Sequence, residues 1–393
     1  MKELSHKGKL FASSKIREMT ILSNKYNGIN LAQGFPEFAP PKSLLDSLVQ
    51  IAQETTDHQY GPNWGTDNLR QAIAQKQNSH YRSALGRDIN WEDEVLVTCG
   101  STEAMMATYH AVFNPGDKFI VFTPYYSSYI ADAIVVGAEP IFVKLNPPNF
   151  DFDYNALERA FAENDPKAII VCNPSNPSGK VFTKDELEYI LRLAQRYDSY
   201  IITDEVYDHI VFEPYVYTYL ASLEGAFERT IACSSLSKSY SVTGWRLGYI
   251  IAPYEILDTI RKFHDLQTVC APTPLQEAAA VALSYDDTYY DELTELYTRK
   301  KDILISGLDA VGLKHTIPQG AYFVLVDIAE FGYASDHDFC VHLVKDYGIA
   351  AVPGSSFFQD GNQNYIRFHF AKHDDTLYEV IKRLGTIRAD HGL

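Results

Sequence analysis

The sequence of 393 residues contains few cysteines, an excess of acidic over basic residues and no long apolar segment. The five cysteines are odd in number and far apart, without a Cys-x-x-Cys pair or a Cys/His spacing typical of a metal site. A disulfide framework and a zinc site are therefore both disfavoured, and no metal is expected. We expect reduced, mostly buried thiols at Cys99, Cys172, Cys233, Cys270 and Cys340.

The charge balance disfavours nucleic acid and anionic membrane surfaces as partners. The chain contains 34 basic and 51 acidic residues, which gives a net charge of −17. No stretch of about 18 uninterrupted apolar residues occurs, and residues 1–17 lack the apolar core of a signal peptide. We therefore expect a cytoplasmic protein. An anionic ligand would need a local cationic pocket against this acidic background.

The residues that are abundant predict a large α/β protein. Hydrophobic residues make up 46% of the chain, and the length favours two domains. Short β-rich segments alternate with amphipathic ones, which is typical of a mainly parallel sheet covered by helices. A capping box, Thr183-Lys-Asp-Glu, predicts a helix to about Tyr197. The seven predicted strands are 95–98, 118–123, 140–145, 168–172, 200–203, 230–233 and 247–252.

The flanking segments predict a smaller α+β domain. Residues 30–41 combine turn formers with apolar side chains, which indicates an N-terminal arm laid against the rest of the protein. From about Asp286 a long charged helix pattern is followed by strand-like and helical segments at 322–327, 337–347 and 365–370. We predict an arm and part of the small domain at 1–40, a large domain at 41–285 and a C-terminal small domain at 286–393.

Lys238 is the most informative residue of the large domain. It is a lone lysine among hydroxyl side chains, eight positions before Arg246 and just after the predicted strand 230–233. Ligands bind where parallel strands end, so this lysine is a candidate for chemistry. The segment alone is equally compatible with a solvated surface lysine.

A reactive lysine forms Schiff bases with carbonyl compounds, and pyridoxal phosphate is the cofactor that uses this chemistry most directly. Such a site also needs a carboxylate, hydrogen-bond donors and a phosphate cradle. Asp204 and Tyr207 offer a carboxylate and a phenol after a strand, Asn176 offers an amide, and Gly100-Ser-Thr opens a helix suited to phosphate. Each also has an ordinary use as a helix cap or a turn.

The order of these motifs resembles that of the fold-type-I pyridoxal phosphate aminotransferases of class I/II over about residues 28 to 385. Each motif is weak, but their order and spacing together are specific. The motifs are Gly100-Ser-Thr, Asn173-Pro-Ser-Asn-Pro-Ser-Gly, Asp204-Glu-Val-Tyr, Ser235-Leu-Ser-Lys, Gly244-Trp-Arg-Leu-Gly-Tyr and Tyr365-Ile-Arg-Phe.

This resemblance implies a role for each matching residue. Lys238 would be the Schiff-base lysine and, with Asp204 and Tyr207, catalytic. Asp204 would face the ring nitrogen of the cofactor, and Asn176 and Tyr207 would donate to its phenolate oxygen. The residues implied to hold the phosphate are Gly100, Ser101, Thr102, Ser235 and Arg246.

The resemblance also implies substrate contacts and a shared site. Tyr126 would stack on the cofactor ring, Arg367 would clamp the substrate α-carboxylate, and Gly34 and Asn176 would lie beside the substrate. Tyr60 resembles the tyrosine that reaches the phosphate of the neighbouring subunit, which implies a homodimer. The implied reaction moves an amino group from an L-amino acid to a 2-oxo acid in two half-reactions with ping-pong kinetics.

The segment around Gly34 and residues 311–323 look most like the group of kynurenine aminotransferase, glutamine transaminase K and bacterial methionine aminotransferase. That group carries bulky residues where this chain has Ile16, Thr102 and Cys270. Bacterial aspartate enzymes usually have a lysine at the position of Thr102, and no arginine or lysine lies between 263 and 285. We therefore expect broad specificity for neutral amino donors rather than a strict dicarboxylate pocket.

Other reactions remain compatible with the same cofactor residues, because the site and not the fold determines the function. A β-lyase acting on cysteine conjugates and a biosynthetic oxidase or cyclase are alternatives, and an aspartate aminotransferase is a further one. A cofactor-regulated binding module lacks support, since no additional DNA-binding or tail segment is recognisable.

Overall fold

The computed structural model describes residues 3–11, 13–53 and 58–393. Met1, Lys2 and Ala12 of the predicted N-terminal arm lie outside these described residues. In the described part, no helix has both the length and the apolar character needed to cross a membrane. The helices there are α1 (Lys15–Lys25), α2 (Lys42–Ile51), α3 (Asp67–Leu85), α4 (Ser101–Val112), α5 (Ser128–Val136), α6 (Tyr154–Asn164), α7 (Lys184–Arg196), α8 (Tyr254–Thr268), α9 (Thr273–Ala282), α10 (Asp287–Ala310), α11 (Asp336–Asp346) and α12 (Asp374–Asp390).

The predicted mainly parallel sheet is confirmed. The strands are β1 (Ile29–Asn30), β2 (Val95–Thr98), β3 (Lys118–Thr123), β4 (Glu139–Asn146), β5 (Asp151–Phe152), β6 (Ala168–Cys172), β7 (Tyr200–Asp204), β8 (Thr230–Ser235), β9 (Gly248–Ile251), β10 (Phe323–Asp327), β11 (Ile349–Ala350), β12 (Val352–Pro353) and β13 (Tyr365–His369). The order in the large sheet is β2-β9-β8-β7-β6-β3-β4-β5, in which β9 and β5 are antiparallel to their neighbours. The seven predicted strands are all present, and β5 is an additional one. With only two residues, β5 is too short for a periodic signal.

Helices cover both faces of this sheet, which explains the apolar character of its central strands. β6 is almost entirely buried, as is β7, because a parallel strand between two helix layers packs side chains on both faces. The capping box is present at the start of α7: Thr183 accepts from the Glu186 amide, and Glu186 accepts from the Thr183 amide.

The N-terminal segment packs against the C-terminal part of the chain. β1 pairs in parallel with β11, and Leu31 and Ala32 after it are fully buried. The predicted strands at 322–327 and 365–370 are β10 and β13, which pair with each other in an antiparallel three-stranded sheet with β12. The division of the chain into domains at residues 40 and 285 stays a prediction.

The topology brings the carboxyl ends of six strands to one edge of the large sheet. β2, β3, β4, β6, β7 and β8 all run in the same direction, so the loops that follow them begin at that edge. The residues that follow these ends include the predicted phosphate cradle, Tyr126, Asn176, Asp204 and Lys238. Parallel sheets bind ligands in this position because successive loops converge there.

Asp132 is a buried carboxyl group of α5 that makes stability dependent on pH. Its Oδ2 atom has no hydrogen-bond partner in the described structure, and burial raises its pKa to about 7, from 3.8. The folded protein therefore binds a proton more tightly than the unfolded chain between pH 4 and 7. The contribution of Asp132 to stability falls as pH rises through this window, by at most about 4 kcal/mol, and does not change further above it.

We expect the substitution Asp132→Asn to remove this dependence. The melting temperature of the variant relative to the wild type should rise steadily between pH 5 and pH 7, as measured by scanning calorimetry. Asp302→Asn is the control, because that side chain is 61% exposed. A constant difference between Asp132→Asn and the wild type across this range would contradict the assignment.

Candidate active site

A cavity of about 620 Å³ lies at the carboxyl edge of the large sheet, where the N-terminal segment and β13 close over it. The structure brings most of the predicted site residues together around it. Those that line the cavity are Ile16, Gly34, Ser101, Thr102, Tyr126, Asn176, Asp204, Tyr207, Ser235, Lys238, Arg246 and Arg367.

Lys238 lies just after β8, and its amine is held at the wall of the cavity. Nζ donates a hydrogen bond to the carbonyl oxygen of Gly34 over 3.1 Å, and the Tyr322 hydroxyl donates to the same oxygen over 2.9 Å. The rings of Tyr207 and Tyr322 lie 5.9 and 5.8 Å from Nζ. A backbone carbonyl thus positions the amine without tying it into an ion pair, so the amine can be released to a carbonyl ligand.

The packing of aromatic rings around position 34 leaves no room for a side chain there. A Cβ atom at this position would lie 2.8 Å from Cε1 of Phe323 and 3.0 Å from Cε2 of Tyr322. The close approach lets the Gly34 carbonyl reach both Lys238 and Tyr322. A larger residue would displace the wall against which the lysine rests.

Asp204 ends β7 as a buried carboxylate with one free oxygen. Oδ2 accepts a 2.6 Å hydrogen bond from the Tyr129 hydroxyl, whereas Oδ1 has no partner in the described structure. Burial raises the pKa of Asp204, although Tyr129, the Val206 amide and the Lys238 charge oppose this. An unpaired buried acceptor is costly, so a protonated nitrogen of a ligand would both satisfy it and favour its ionised form.

Arg367, on β13, is a buried cation with no carboxylate among its hydrogen-bond partners. Its side chain donates to Asn176 Oδ1 over 2.7 Å and to the Ala32 carbonyl over 2.9 Å, and Nε has no partner in the described structure. The rings of Phe323 and Phe357 lie 4.2 and 4.7 Å from the guanidinium carbon. Burial lowers the pKa of Arg367 to about 10, so it stays charged at neutral pH and can bind an anion.

The bond to Arg367 also fixes the amide of Asn176. A guanidinium only donates hydrogen bonds, so the Asn176 oxygen must face it and the amide nitrogen is left to donate elsewhere. Tyr207 is buried and lines the same cavity, with its ring against Tyr322 and Phe323. Asn176 and Tyr207 can therefore both present donors to a ligand in the cavity.

The N-terminus of α4 and the loop after β8 form an anion cradle. Gly100 has φ of +82°, and a Cβ atom there would come within 2.5 Å of Arg246 Nη2, so the arginine packs directly on the backbone. Ser101 and Thr102 open the helix, where free amides attract negative charge. Ser237, four percent exposed, adds a hydroxyl with no partner in the described structure. This set of donors suits a phosphate.

Three predicted residues do not line the cavity. Gly100 lies behind Arg246, as its contact shows. Tyr60 is 86% exposed, and its proposed reach to a neighbouring subunit stays a prediction. Cys270 instead lies near Cys99, whose Sγ is 3.8 Å from the Cys270 carbonyl oxygen. The structure therefore does not bring Cys270 to the cavity of its own chain.

Several residues of the site were not predicted from the sequence. Tyr129, on α5, donates a hydrogen bond to Asp204. No sequence motif indicates this contact, because the two residues lie 75 positions apart. Ser237 lies within the quoted Ser-Leu-Ser-Lys motif and was recognisable there. The other additional lining residues are Ser14, Arg17, Gln33, Phe35, Val206, Thr243, Gly244 and Phe323.

The cavity residues fit pyridoxal phosphate. An amine, an unpaired buried carboxylate oxygen and an anion cradle are the three features that this cofactor requires, and all three line one cavity. In the part of the chain that the structure describes, no group of three or more His, Cys, Asp or Glu side chains could hold a metal ion. The fold and the cavity are therefore those expected of a pyridoxal phosphate enzyme.

The chain belongs to the family of class I and II aminotransferases, whose model matches residues 26–384. It is 32% identical to the kynurenine–oxoglutarate transaminase of Dictyostelium discoideum, over 94% of this chain and 93% of that protein. It is 34% identical to the methionine aminotransferase of Escherichia coli, over 93% of this chain and 94% of that protein. The solved structure of N-succinyldiaminopimelate aminotransferase from Mycobacterium tuberculosis superimposes with a TM-score of 0.93 at 33% identity, covering 98% of this chain and all of that one.

These similarities confirm the predicted family, fold and cofactor. The protein is a pyridoxal phosphate-dependent aminotransferase. Its amino donor and acceptor do not follow from the similarities, because the similar proteins named above carry three different substrates in their names.

Proposed function

We propose that this aminotransferase moves the amino group of neutral L-amino acids to 2-oxo acids by a ping-pong mechanism, with Lys238 as its catalytic base. The observation that carries the proposal is the convergence of Lys238, Asp204 and Arg367 on one cavity. Pyridoxal phosphate, when bound, supplies an aldehyde that takes up the amino group and a ring that accepts an electron pair from the α-carbon.

Three side chains of the cavity bind the substrate, transfer the proton and stabilise charge. The buried guanidinium of Arg367 binds the substrate α-carboxylate and orients the α-carbon. Lys238 Nζ takes the proton from that carbon and later returns a proton to complete the transfer. Asp204 Oδ1 would accept a hydrogen bond from the protonated ring nitrogen of the cofactor and so stabilise its positive charge in a buried position.

The other cavity residues hold the cofactor in place. Ser101, Thr102, Ser235 and Arg246 would hold its phosphate, assisted by the close approach that Gly100 permits. Asn176 and Tyr207 would donate hydrogen bonds to its phenolate oxygen, and Tyr126 would pack on its ring. These assignments rest on the resemblance and on the shared cavity.

Broad specificity for neutral donors is supported by two residues that the resemblance places beside the substrate side chain. Ile16 and Thr102 line the cavity, and neither of them is aromatic or charged. An apolar wall separates substrates that differ by one methylene by only about 1–3 kcal/mol. Donors of several sizes should therefore react.

The test is a panel of amino donors assayed against several 2-oxo acids with the purified holoenzyme. We expect stoichiometric transfer from methionine, glutamine and aromatic donors, with parallel lines in double-reciprocal plots. Ammonia and pyruvate as products would instead identify a β-lyase, and oxygen consumption an oxidase. Reaction with aspartate alone would identify an aspartate aminotransferase.

We also infer a cytoplasmic homodimer with shared sites. The exposed Tyr60 ring supports the shared site, since it lies on the surface of its own chain and resembles a residue that acts across subunits. The five cysteines, all free, support a reducing compartment. Sedimentation equilibrium measures the assembly, and a monomer active at nanomolar concentration would rule out the shared site.

A further inference from the structure

A buried pair of side chains lies beside the anion cradle and is not used by the proposed function. His264, on α8, is fully buried, and the side chain of Glu103, in the first turn of α4, is only 10% exposed. The Nδ1 atom of His264 lies 3.0 Å from each carboxylate oxygen of Glu103. Neither residue lines the cavity, although Glu103 directly follows Ser101 and Thr102, which do. Any influence of the pair on the cavity must therefore pass through the backbone of α4.

The contacts of His264 fix the roles of its ring nitrogens. A carboxylate only accepts hydrogen bonds, so Nδ1 carries the proton and donates to Glu103. The Thr268 hydroxyl, one turn later on α8, lies 3.2 Å from the same nitrogen. The other nitrogen, Nε2, is buried without a partner in the described structure. A ring that served only the stability of the core would not carry the cost of an unpaired buried nitrogen, so its bond to Glu103 has a further purpose.

Glu103 connects this pair to the turn between β2 and α4. With Gly100 as N-cap, Glu103 is the third residue of the helix, where a glutamate side chain commonly reaches back to a backbone amide. Here Oε2 accepts a 3.0 Å hydrogen bond from the amide of Cys99, which stands between β2 and Gly100. Glu103 therefore holds the backbone that leads into Gly100.

The turn at Gly100 has little freedom to move, because it is closely packed at two points. The Arg246 guanidinium lies against Gly100 and donates to the Cys99 carbonyl over 3.5 Å. A Cβ atom at Gly248 would lie 2.5 Å from the carbonyl carbon of Gly100 and 2.6 Å from the amide nitrogen of Ser101. A shift of Cys99 would therefore displace both the arginine and the amides of the cradle.

The pair also restrains a charge that opposes phosphate binding. Glu103 is the acidic residue in the first turn of α4, so its carboxylate competes with a phosphate for the positive potential of the helix N-terminus. His264 contacts both carboxylate oxygens and the Cys99 amide contacts one, which holds the carboxylate outside the cavity lining. Loss of His264 would free this carboxylate to approach the phosphate.

We propose that Glu103 and His264 are positioning residues that hold the turn between β2 and α4 in the shape that binds the phosphate group of the cofactor. This inference rests on the proposed function and deepens it, since it assigns the support of the cradle to residues outside the cavity. Both residues act on the affinity for cofactor and not on proton transfer, because neither lines the cavity. The effect is specific to the phosphate, because Lys238 and Asp204 would reach the rest of the cofactor from other elements.

Pyridoxal phosphate and pyridoxal provide a matched test, since they share the ring and the aldehyde and differ in the phosphate. The full-length protein is freed of cofactor with hydroxylamine and titrated with each compound, and visible absorbance reports binding to Lys238. For His264→Leu we expect the Kd for pyridoxal phosphate to rise about 10- to 100-fold and the Kd for pyridoxal to change by less than about 2-fold. At saturating pyridoxal phosphate, kcat should stay within about 2-fold of the wild type.

Two further variants separate the hydrogen bonds of the pair from its charge. His264→Asn should recover part of the affinity, because its amide nitrogen can donate from about the position of Nδ1. Glu103→Gln removes the charge but keeps an oxygen that accepts from the Cys99 amide. In a double-mutant cycle, His264→Leu should therefore cost less affinity in the Glu103→Gln background than in the wild type. If His264→Leu does not fold, His264→Gln replaces it, since that amide lies nearer the position of Nε2 and does not restore the bond.

The control is Asp338→Ala, which removes an acidic residue at the third position of α11 that does not line the cavity. It should change neither Kd. Melting temperatures distinguish positioning from a general loss of stability. The difference between cofactor-loaded and cofactor-free protein should shrink in His264→Leu, because a ligand that binds more weakly stabilises the folded state less. A purely structural role would lower both melting temperatures equally.

Two outcomes would overturn the inference: an equal rise of both Kd values in His264→Leu, or no rise in either. Each of these leaves the proposed function intact, since the wild type still binds cofactor and transfers amino groups. A wild type that binds pyridoxal phosphate no more tightly than pyridoxal would instead contradict the phosphate cradle of the proposed function. The two failures are thereby distinguished.

Discussion

Replacing Lys238 with alanine will abolish amino-group transfer and remove the visible absorbance of the lysine-linked cofactor. In the proposed function this amine is both the covalent attachment point and the base that moves the α-proton, so both roles disappear together. General acid–base catalysis alone contributes about 100- to 10,000-fold, and the loss of kcat should reach at least the upper end of that range. The measurements are steady-state rates with the best donor of the panel and the absorption spectrum of the purified protein.

The control for this experiment is Lys184→Ala, which removes a lysine that is 65% exposed on α7. Its spectrum and activity should match the wild type. Arg246 and the α4 N-terminus remain in Lys238→Ala and can still bind cofactor, so the amount of bound cofactor is measured separately after denaturation. A Lys238→Ala protein with normal colour and activity would show that another group carries the chemistry.

Replacing Asp204 with asparagine will lower kcat by about 100- to 1000-fold while the protein stays folded and retains cofactor. The substitution keeps the shape of the side chain but removes the negative charge that faces the cavity through Oδ1. Tyr129 can still hydrogen-bond to the new side chain, so the position of β7 should be preserved. Steady-state kinetics at saturating cofactor measure the effect.

The adjacent Glu205 provides a matched control in the same turn. It is also buried, but it receives a 2.8 Å hydrogen bond from Thr203 and does not line the cavity. Burial raises its pKa to about 8, so it is mostly protonated at neutral pH and Glu205→Gln should have a small effect on kcat. Equal losses in the two variants would indicate a general structural effect rather than a specific role for Asp204.

The strands of the large sheet were predictable from the sequence because their signals are local. β2, β3 and β6 have the predicted bounds, and β4 and β9 differ from theirs by one residue at each end. A parallel strand buried on both faces produces a continuous apolar segment, which is recognisable without knowledge of its neighbours. The two-residue β5 is too short to produce such a signal.

The site was predictable to the extent that its residues follow strands in recognisable motifs. Lys238, Asp204 and Asn176 were identified because each stands in a short motif at the end of a predicted strand. Arg17 was not identified as part of the site, since a single arginine in an amphipathic helix carries no chemical signature. Its relevance depends on the packing of α1 against the segment around Gln33, which a local pattern does not encode.

The sequence by itself determined the order of the elements, because that depends on periodicity along the chain. It also indicated the family and the residue types that pyridoxal phosphate requires, through the resemblance of its ordered motifs. Only the tertiary structure decided which side chains share the cavity. In the structure, Tyr129 donates a hydrogen bond to Asp204, and Arg17 lines the cavity. Cys270 lies near Cys99 and not at the cavity. The physical reason is that each of these contacts joins segments distant in sequence, and the packing of whole elements sets the direction of their side chains.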